Sequence, residues 1–361
     1  MRRDSVRREP ARRGLAWWRG PDGEPGPVLS ACLAAAIQAP SVHNTQPWRF
    51  EVGLSTVDVY ADYSRRLPVA DPAGRELVLS VGAAVFNLRV AVRAYGRTPV
   101  QVLEGSPDHG RLARISPGRA VPVSAAARAL AWAIPRRRSN RWPFTGVAPR
   151  REVLDDLVAA AAVEGARLRI PGRDDRRTVL TLVRAAEEEL REDLAYRHEL
   201  DRWSARRPER RDGVTRAAAG PRAAPGGLAL RDLGLAFPKR DTVWFEPAPI
   251  IAVLHGPDGP QGWVRAGQAL QRVLLTATIH GLATTLLTQP LEIPSLRARL
   301  ADPRTGLPAQ AIVRLGYSRR LASPSPRRPL AEVVRAAPAR DLGPGAGEDL
   351  ASERRRVLGA A

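Results

Sequence analysis

Ala39-Pro40-Ser41-Val42-His43-Asn44-Thr45-Gln46-Pro47-Trp48-Arg49-Phe50 decides how the rest of this chain is read. An apolar helical run from Val28 to Ile37 precedes it and the alternating Phe50-Glu51-Val52 follows, so it reads as a helix-to-strand loop. Two prolines stiffen the loop, and between them Ser41, His43, Asn44, Thr45 and Gln46 can all donate or accept hydrogen bonds. From these residues alone two readings stay open. The loop either closes a helix through its own side chains or holds something planar and polar. A second segment, far along the chain, bears on the choice.

Around the loop, one pattern occurs twice. Val28-Leu29-Ser30-Ala31-Cys32-Leu33 resembles Val153-Leu154-Asp155-Asp156-Leu157-Val158. Gly82 and Gly96 bracket an apolar helical run, and Gly267 and Gly281 bracket another of equal length. Each run leads into a strand-like segment, Pro99 to Leu103 in one case and Thr284 to Leu287 in the other. The first copy carries the Pro40–Trp48 loop and two strands, Trp48 to Val52 and Thr56 to Tyr60. The second continues through Glu164 to Ile170 without that loop, then into one long amphipathic helix, about Arg176 to Trp203. Residues 204–243 turn to Arg, Pro, Gly and Ala, an insertion of the length used for lids and binding loops. Strands Pro249 to Leu254 and Ala311 to Tyr317 restore order.

At 361 residues the chain can bury a large core. No apolar run reaches the roughly eighteen residues of a membrane span, and the Arg-rich start has no apolar stretch behind it. Cys32 is the only cysteine, which leaves neither an internal disulfide nor a cysteine-based metal site. These features point to the cytosol. The net charge of +20 invites a nucleic-acid reading, but Lys239 is the only lysine among the 57 basic residues. The scattered arginines, with abundant Ala, Gly and Pro, match a GC-rich genome and a solvated basic surface better than a DNA-binding face.

The second telling segment is Arg136-Arg137-Arg138-Ser139-Asn140-Arg141-Trp142-Pro143-Phe144. Clustered guanidiniums beside a serine hydroxyl suit a phosphate, because arginine presents paired N–H groups to anionic oxygens. The same run also suits an exposed charged linker. Paired with the Pro-Ser…Asn…Gln-Pro-Trp loop, it resembles the nitroreductase family of flavoproteins. The likeness covers Ser41–Trp48, Arg137–Phe144, the Gly267–Gly281 helix, the Gly316 strand and Arg327-Arg328-Pro329-Leu330-Ala331-Glu332-Val333-Val334. The long, Acg-type members known from mycobacteria are the nearest in arrangement.

That resemblance implies an α+β nitroreductase-like fold with two pseudo-symmetric halves in one chain mimicking a homodimer. The front half would be 27–133, the rear half 134–334 with a lid-like insertion at 204–243, and 1–26 and 335–361 would be tails. One FMN would sit in the seam of a monomer acting as an internal pseudo-dimer. Arg137, Arg138, Ser139 and Arg327 or Arg328 would take its phosphate. Arg141 would face the flavin N1/O2 edge, and Pro40, Ser41, Val42 and Asn44 would meet the ring and side chain from the front half. Thr288 and Gln289 stand where the family often has Glu-Gly, with backbone approaching flavin N5. The implied activity passes hydride from NAD(P)H to a nitroaromatic or quinone-like acceptor, with a flavin-sequestering protein as the alternative. No metal is expected, since His109, His198, His255 and His280 lack ligand spacing. His43 lacks the nucleophile and orienting acid of a catalytic triad and reads as a loop hydrogen-bonder. Glu187-Glu188-Glu189 reads as a solvated, salt-bridged face.

Overall fold

The structure, a computed structural model, describes residue 18 and residues 25–104, 110–204, 210–233 and 236–337. Trp17, His109 and most of the two expected tails lie outside the described residues. Helix α1 (Pro27–Ala36) starts with proline in its first turn and buries Leu29, Cys32, Leu33 and Ala36 at helical spacing. The loop then leads to a hairpin, β1 (Trp48–Val52) and β2 (Val57–Ala61), followed by α2 (Arg75–Ala94), β3 (Arg97–Leu103), β4 (Arg111–Ala120) and α3 (Ala125–Ala133). The rear half opens with α4 (Arg151–Val163) and β5 (Arg167–Arg169). A long excursion follows: α5 (Arg173–Glu192), α6 (Leu194–Arg202), α7 (Arg216–Ala219), β6 (Arg222–Ala223) and β7 (Thr242–Val243). Then come β8 (Ile250–His255), α8 (Pro260–Ile279), β9 (Ala283–Leu286), α9 (Gln289–Glu292), α10 (Pro294–Ala298), β10 (Ala309–Gly316), α11 (Leu330–Val333) and β11 (Val334–Ala336).

The two halves share one topology. The front sheet is ordered β11-β1-β2-β4-β3 and the rear sheet β5-β8-β10-β9, so the same 1-2-4-3 order appears in both. Within these two sheets all described neighbours are antiparallel except β11, which leaves the rear half and pairs parallel to β1 through Phe50↔Val334 and Val52↔Ala336. Residues 335 and 336, expected in the tail, therefore belong to the front sheet. The halves differ between their first two strands. The front hairpin turns within 53–56, whereas β5 reaches β8 only after 170–249. The expected 204–243 insertion is the later part of that excursion.

Helices α2 and α8, each 20 residues long, cross at the centre and join the halves. Gly82 and Gly267 lie inside these helices instead of bounding them, and they explain the close approach. A Cβ on Gly82 would meet Val264 O at 2.3 Å, and one on Gly267 would meet Leu79 O at 2.0 Å. The second glycine of each pair does end a helix. Gly96 and Gly281 take positive φ just past the C-caps Tyr95 and His280, a left-handed stop that costs glycine little. Helix α2 is long and apolar enough to cross a membrane, but it is 83% buried inside the molecule. Trp18 is also fully buried, in the front core, and its carbonyl accepts from Gly26 N at 3.1 Å. The single long helix expected over 176–203 is broken at Asp193, whose carboxylate caps Ala195 N (2.8 Å) and Tyr196 N (3.1 Å) of α6.

Candidate functional site

The Pro40–Trp48 loop makes one tight turn and two long-range links. Ser41 Oγ accepts from Gln46 N at 2.9 Å, and Asn44 N and Thr45 N donate to Ser41 O and Val42 O. The turn forces His43, Asn44 and Gln46 to φ of 46°, 56° and 52°, left-handed conformations that are uncommon outside glycine and cluster at functional sites. Asn44 is the hub. Its Nδ2 donates to Gly213 O and Pro326 O, both at 3.1 Å, while Oδ1 accepts from Arg327 Nη1 at 3.1 Å. Gln46 donates to Arg211 O at 2.8 Å and accepts from Arg328 N at 2.8 Å. The loop thus satisfies its own turn, the first of the two readings left open by sequence, and it also links distant segments. Gln46 is 0% exposed and braces the loop from behind, a burial that only the fold reveals.

The Arg137–Phe144 segment is held flat against β9. Ser139 bridges Thr284 in parallel register, Asn140 N donates to Thr284 O at 2.7 Å, and the Thr285 hydroxyl donates to Asn140 O. Behind it lies a buried ion pair. Arg314 is 0% exposed, is gripped by Glu246 through Nε (2.6 Å) and Nη2 (2.7 Å), and lies 3.7 Å from the Phe144 ring centroid. Glu246 also accepts from Phe144 N at 2.9 Å, and Arg314 donates to Trp142 O at 3.2 Å. Neither Glu246 nor Arg314 carried a sequence signal, because the pair closes across 68 residues.

Loop and clamp meet. Pro40, Ser41, Asn44, Arg137, Arg138, Ser139, Arg141 and Arg327 line one small cavity, with no carboxylate among its lining residues. Arg137 is 4% exposed, and neither its Nε nor its Nη1 has a partner; Arg327 Nε is likewise unpartnered. Burial, with Arg327 and Arg138 nearby, pulls the Arg137 pKa down to about 9. Burial pulls Arg141 and Arg327 down to about 10, with Arg231 and Arg240 adding to the effect on Arg141 and Arg138 to that on Arg327. All three stay cationic at neutral pH. So many unneutralised guanidiniums in one crevice suit a polyanionic group such as a phosphate.

The excursion covers the other end. Gly213 N donates to Asn44 O at 3.2 Å, and Arg141 Nη1 donates to Ala218 O at 2.7 Å. Gly220, at φ 69°, sits so close that a Cβ there would lie 2.9 Å from Arg141 O. The cavity is left with about 50 Å³, far below the ~300–1,000 Å³ of an ordinary ligand pocket. Burial, Arg231 and Arg141 hold the His43 pKa well below 6.5, so its ring is neutral.

Four expected residues lie outside this cavity. Val42 packs into the apolar cluster beneath the excursion. Arg328 turns to Gln46 O and Glu332 (3.1 Å), leaving Arg327 as the arginine of that pair in the cavity. The Thr288 hydroxyl accepts from Arg231 Nη2 at 2.6 Å and donates to Glu292 at 2.8 Å. Gln289 Nε2 donates to Glu187 at 3.1 Å, and Glu187 also accepts from Asp232 N at 2.7 Å. Glu187, on α5, is thus buried between Asp232 and Gln289, unlike the solvated face expected of the Glu187–Glu189 run. Among the described residues, no group of His, Cys, Asp or Glu is arranged to hold a metal ion.

No protein-family model matches the chain. It is 34% identical over 331 residues to "Putative NAD(P)H nitroreductase Rv3131" of Mycobacterium tuberculosis, covering 87% of this chain and 92% of the relative. It is 31% identical over 319 residues to "Putative NAD(P)H nitroreductase acg" of the same organism, covering 85% and 95%. Among solved structures, the FMN- and NADPH-dependent nitroreductase NfnB from Sphigopyxis sp. strain HMH aligns at a TM-score of 0.36 and 18% identity, over 58% of this chain and 99% of that one. The assignment rests on the near-full-length relatives. The chain belongs to the nitroreductase family, among the long members that include Acg.

Proposed function

We propose that this chain binds one FMN in the seam between its halves and acts as an NAD(P)H-dependent oxidoreductase on a nitroaromatic or quinone-like acceptor. The observation that carries this reading is Arg137, buried and unpartnered beside Arg327 and Ser139 in a cavity to which both halves contribute. Arg137, Ser139 and Arg327 hold the phosphate, with the more exposed Arg138 adding charge at the rim. Arg141 is the cation for the edge where reduction leaves negative charge, and in the closed form its guanidinium is held by Ala218 O at 2.7 Å. Asn44 and Ser41 orient the ring and side chain from the front half, and neutral His43 adds polarity without charge. FMN, when bound, supplies the redox chemistry, accepting hydride from NAD(P)H and delivering it to the acceptor.

The phosphate end fits as it stands, but a tricyclic ring does not fit in about 50 Å³. Residues 210–220 therefore act as a lid in this reading. Opening it breaks the Asn44–Gly213, Gln46–Arg211 and Arg141–Ala218 hydrogen bonds, each worth about 0.5–1.5 kcal/mol net. The same contacts favour a second reading, in which the lid shuts over bound flavin and excludes the nicotinamide. Anaerobic addition of NADPH to the purified protein separates the two. Bleaching of the flavin band supports the oxidoreductase, a band that persists supports sequestration, and no flavin under any condition defeats both.

A further inference from the structure

We propose that a groove on the outer face of α5 receives the phosphate-bearing end of the dinucleotide electron donor and selects NADPH over NADH. This inference rests on the oxidoreductase reading above. The groove, about 520 Å³, is lined by Arg173, Arg176, Arg177 and Arg184 on the helix, with Leu180 and Pro247 supplying apolar surface. No acidic residue lines it.

The arrangement is poor for the helix and good for a ligand. Arg173, Arg176 and Arg177 stand within the first turns, where the helix dipole disfavours cations. They are also like charges at i, i+3 and i+4, a spacing that costs a few tenths of a kcal/mol per pair. Of the two acids in the first turn, Asp175 is turned to Arg169 at 2.5 Å and Asp174 forms no ion pair with these arginines. Among the described residues Arg173, Arg176 and Arg177 form no ion pair. Their Cα atoms climb about 6 Å along the axis, a span over which long side chains can offer paired N–H donors to the one ribose phosphate that NADPH has and NADH lacks. Leu180 and Pro247 offer a shelf for a base. Aromatic platforms of the kind single-stranded nucleic acid stacks on are missing from the lining, which favours a dinucleotide over a nucleic-acid strand.

The groove adjoins a second one of about 460 Å³, which shares Arg184 and is lined by Arg231 and Arg240 together with Glu187, Glu188 and Asp232. Arg231 touches Thr288, and Arg240 Nη1 reaches Gly220 O at 3.5 Å, next to Arg141. Both grooves belong to the excursion between β5 and β8, which the front half lacks, so the chain has one such approach.

The test is equilibrium binding of NADP⁺ and NAD⁺ to the full-length protein by calorimetry, for wild type and the double variant Arg176→Ala/Arg177→Ala, with Arg176 half-buried and Arg177 exposed. Expected are tighter NADP⁺ than NAD⁺ binding in wild type, an NADP⁺ affinity about tenfold weaker in the variant, unchanged NAD⁺ affinity and unchanged flavin content. Equal affinities for the two dinucleotides in wild type would overturn the proposal, as would an NADP⁺ affinity untouched by the substitutions. Tight binding of a single-stranded oligonucleotide with no NADP⁺ binding would overturn it in favour of nucleic acid. Because the measurement needs no turnover, a protein that binds NADP⁺ here but never reduces flavin refutes the oxidoreductase reading alone.

Discussion

Replacing Arg137 by methionine separates stability from binding. In the flavin-free fold this guanidinium is 4% exposed with two unpartnered nitrogens, and its pKa is lowered from 12.5 to about 9. At about 1.4 kcal/mol per pKa unit, that depression corresponds to roughly 5 kcal/mol of unfavourable burial, an upper bound because side chains relax. Below pH 9 the folded and unfolded chains both keep the proton, so the penalty is full and constant at neutral pH. It shrinks only as pH rises from about 9 toward 12.5, where the folded state loses its proton first. Methionine has a similar reach and no charge, so the replacement removes the cost of a buried charge without leaving a carboxylate unpaired. Arg137→Met should therefore raise the flavin-free Tm by several degrees, at roughly 2–4 °C per kcal/mol. It also removes about two charge-assisted hydrogen bonds to the phosphate, weakening FMN by roughly two to four orders of magnitude. Thermal unfolding followed by tryptophan fluorescence, with and without added FMN, reads both effects. A flavin-free variant less stable than wild type that still shows the full FMN-dependent Tm rise would refute the reasoning.

Three further outcomes follow from the packing and the buried charges. Glu246→Ala leaves Arg314 buried without its carboxylate and should cost about 3–5 kcal/mol in urea unfolding, whereas a loss below about 1 kcal/mol would mean the pair does not brace the clamp. Gly267→Ala improves helix propensity by about 1 kcal/mol but drives a Cβ to 2.0 Å from Leu79 O; it should lower the Tm, and a raised Tm would contradict the tight helix crossing. Burial lifts the Glu76 carboxyl from 4.5 to about 8, so the folded state holds a proton the unfolded chain has released. Stability should fall as pH rises through that window in wild type and less steeply in Glu76→Gln, and parallel profiles would show that Glu76 is ionised when folded.

Local chemistry made part of this molecule legible. Trp48 to Val52 alternates and forms β1 with those bounds, and proline near its start with apolar spacing marks α1. The paired Gly-to-Gly runs exposed the like halves, although only the structure gives Gly82 and Gly267 their role as contact points between backbones. What stayed hidden depends on long-range contact. The strand β11 acquires its partner only by crossing to β1, and Gln46 only by meeting Arg211 and the backbone of Arg328. Asp193 splits one apparent amphipathic helix because a capping carboxylate competes locally with the i→i+4 ladder. At the site, the arginine cluster could be read as cationic, but not which member turns inward. Adjacent Arg327 and Arg328 part ways, the first toward Asn44, Gln38 O and Ala39 O and the second toward Gln46 O and Glu332.

Flavin stoichiometry after reconstitution with excess FMN, read from the visible spectrum, tests most directly whether both halves grip a single cofactor. The account predicts one FMN per wild-type chain, and almost none in Arg137→Ala/Ser139→Ala, altered in the rear half, or in Asn44→Ala, altered in the front. Two flavins per wild-type chain, or full occupancy when either half's contribution is removed, would contradict it.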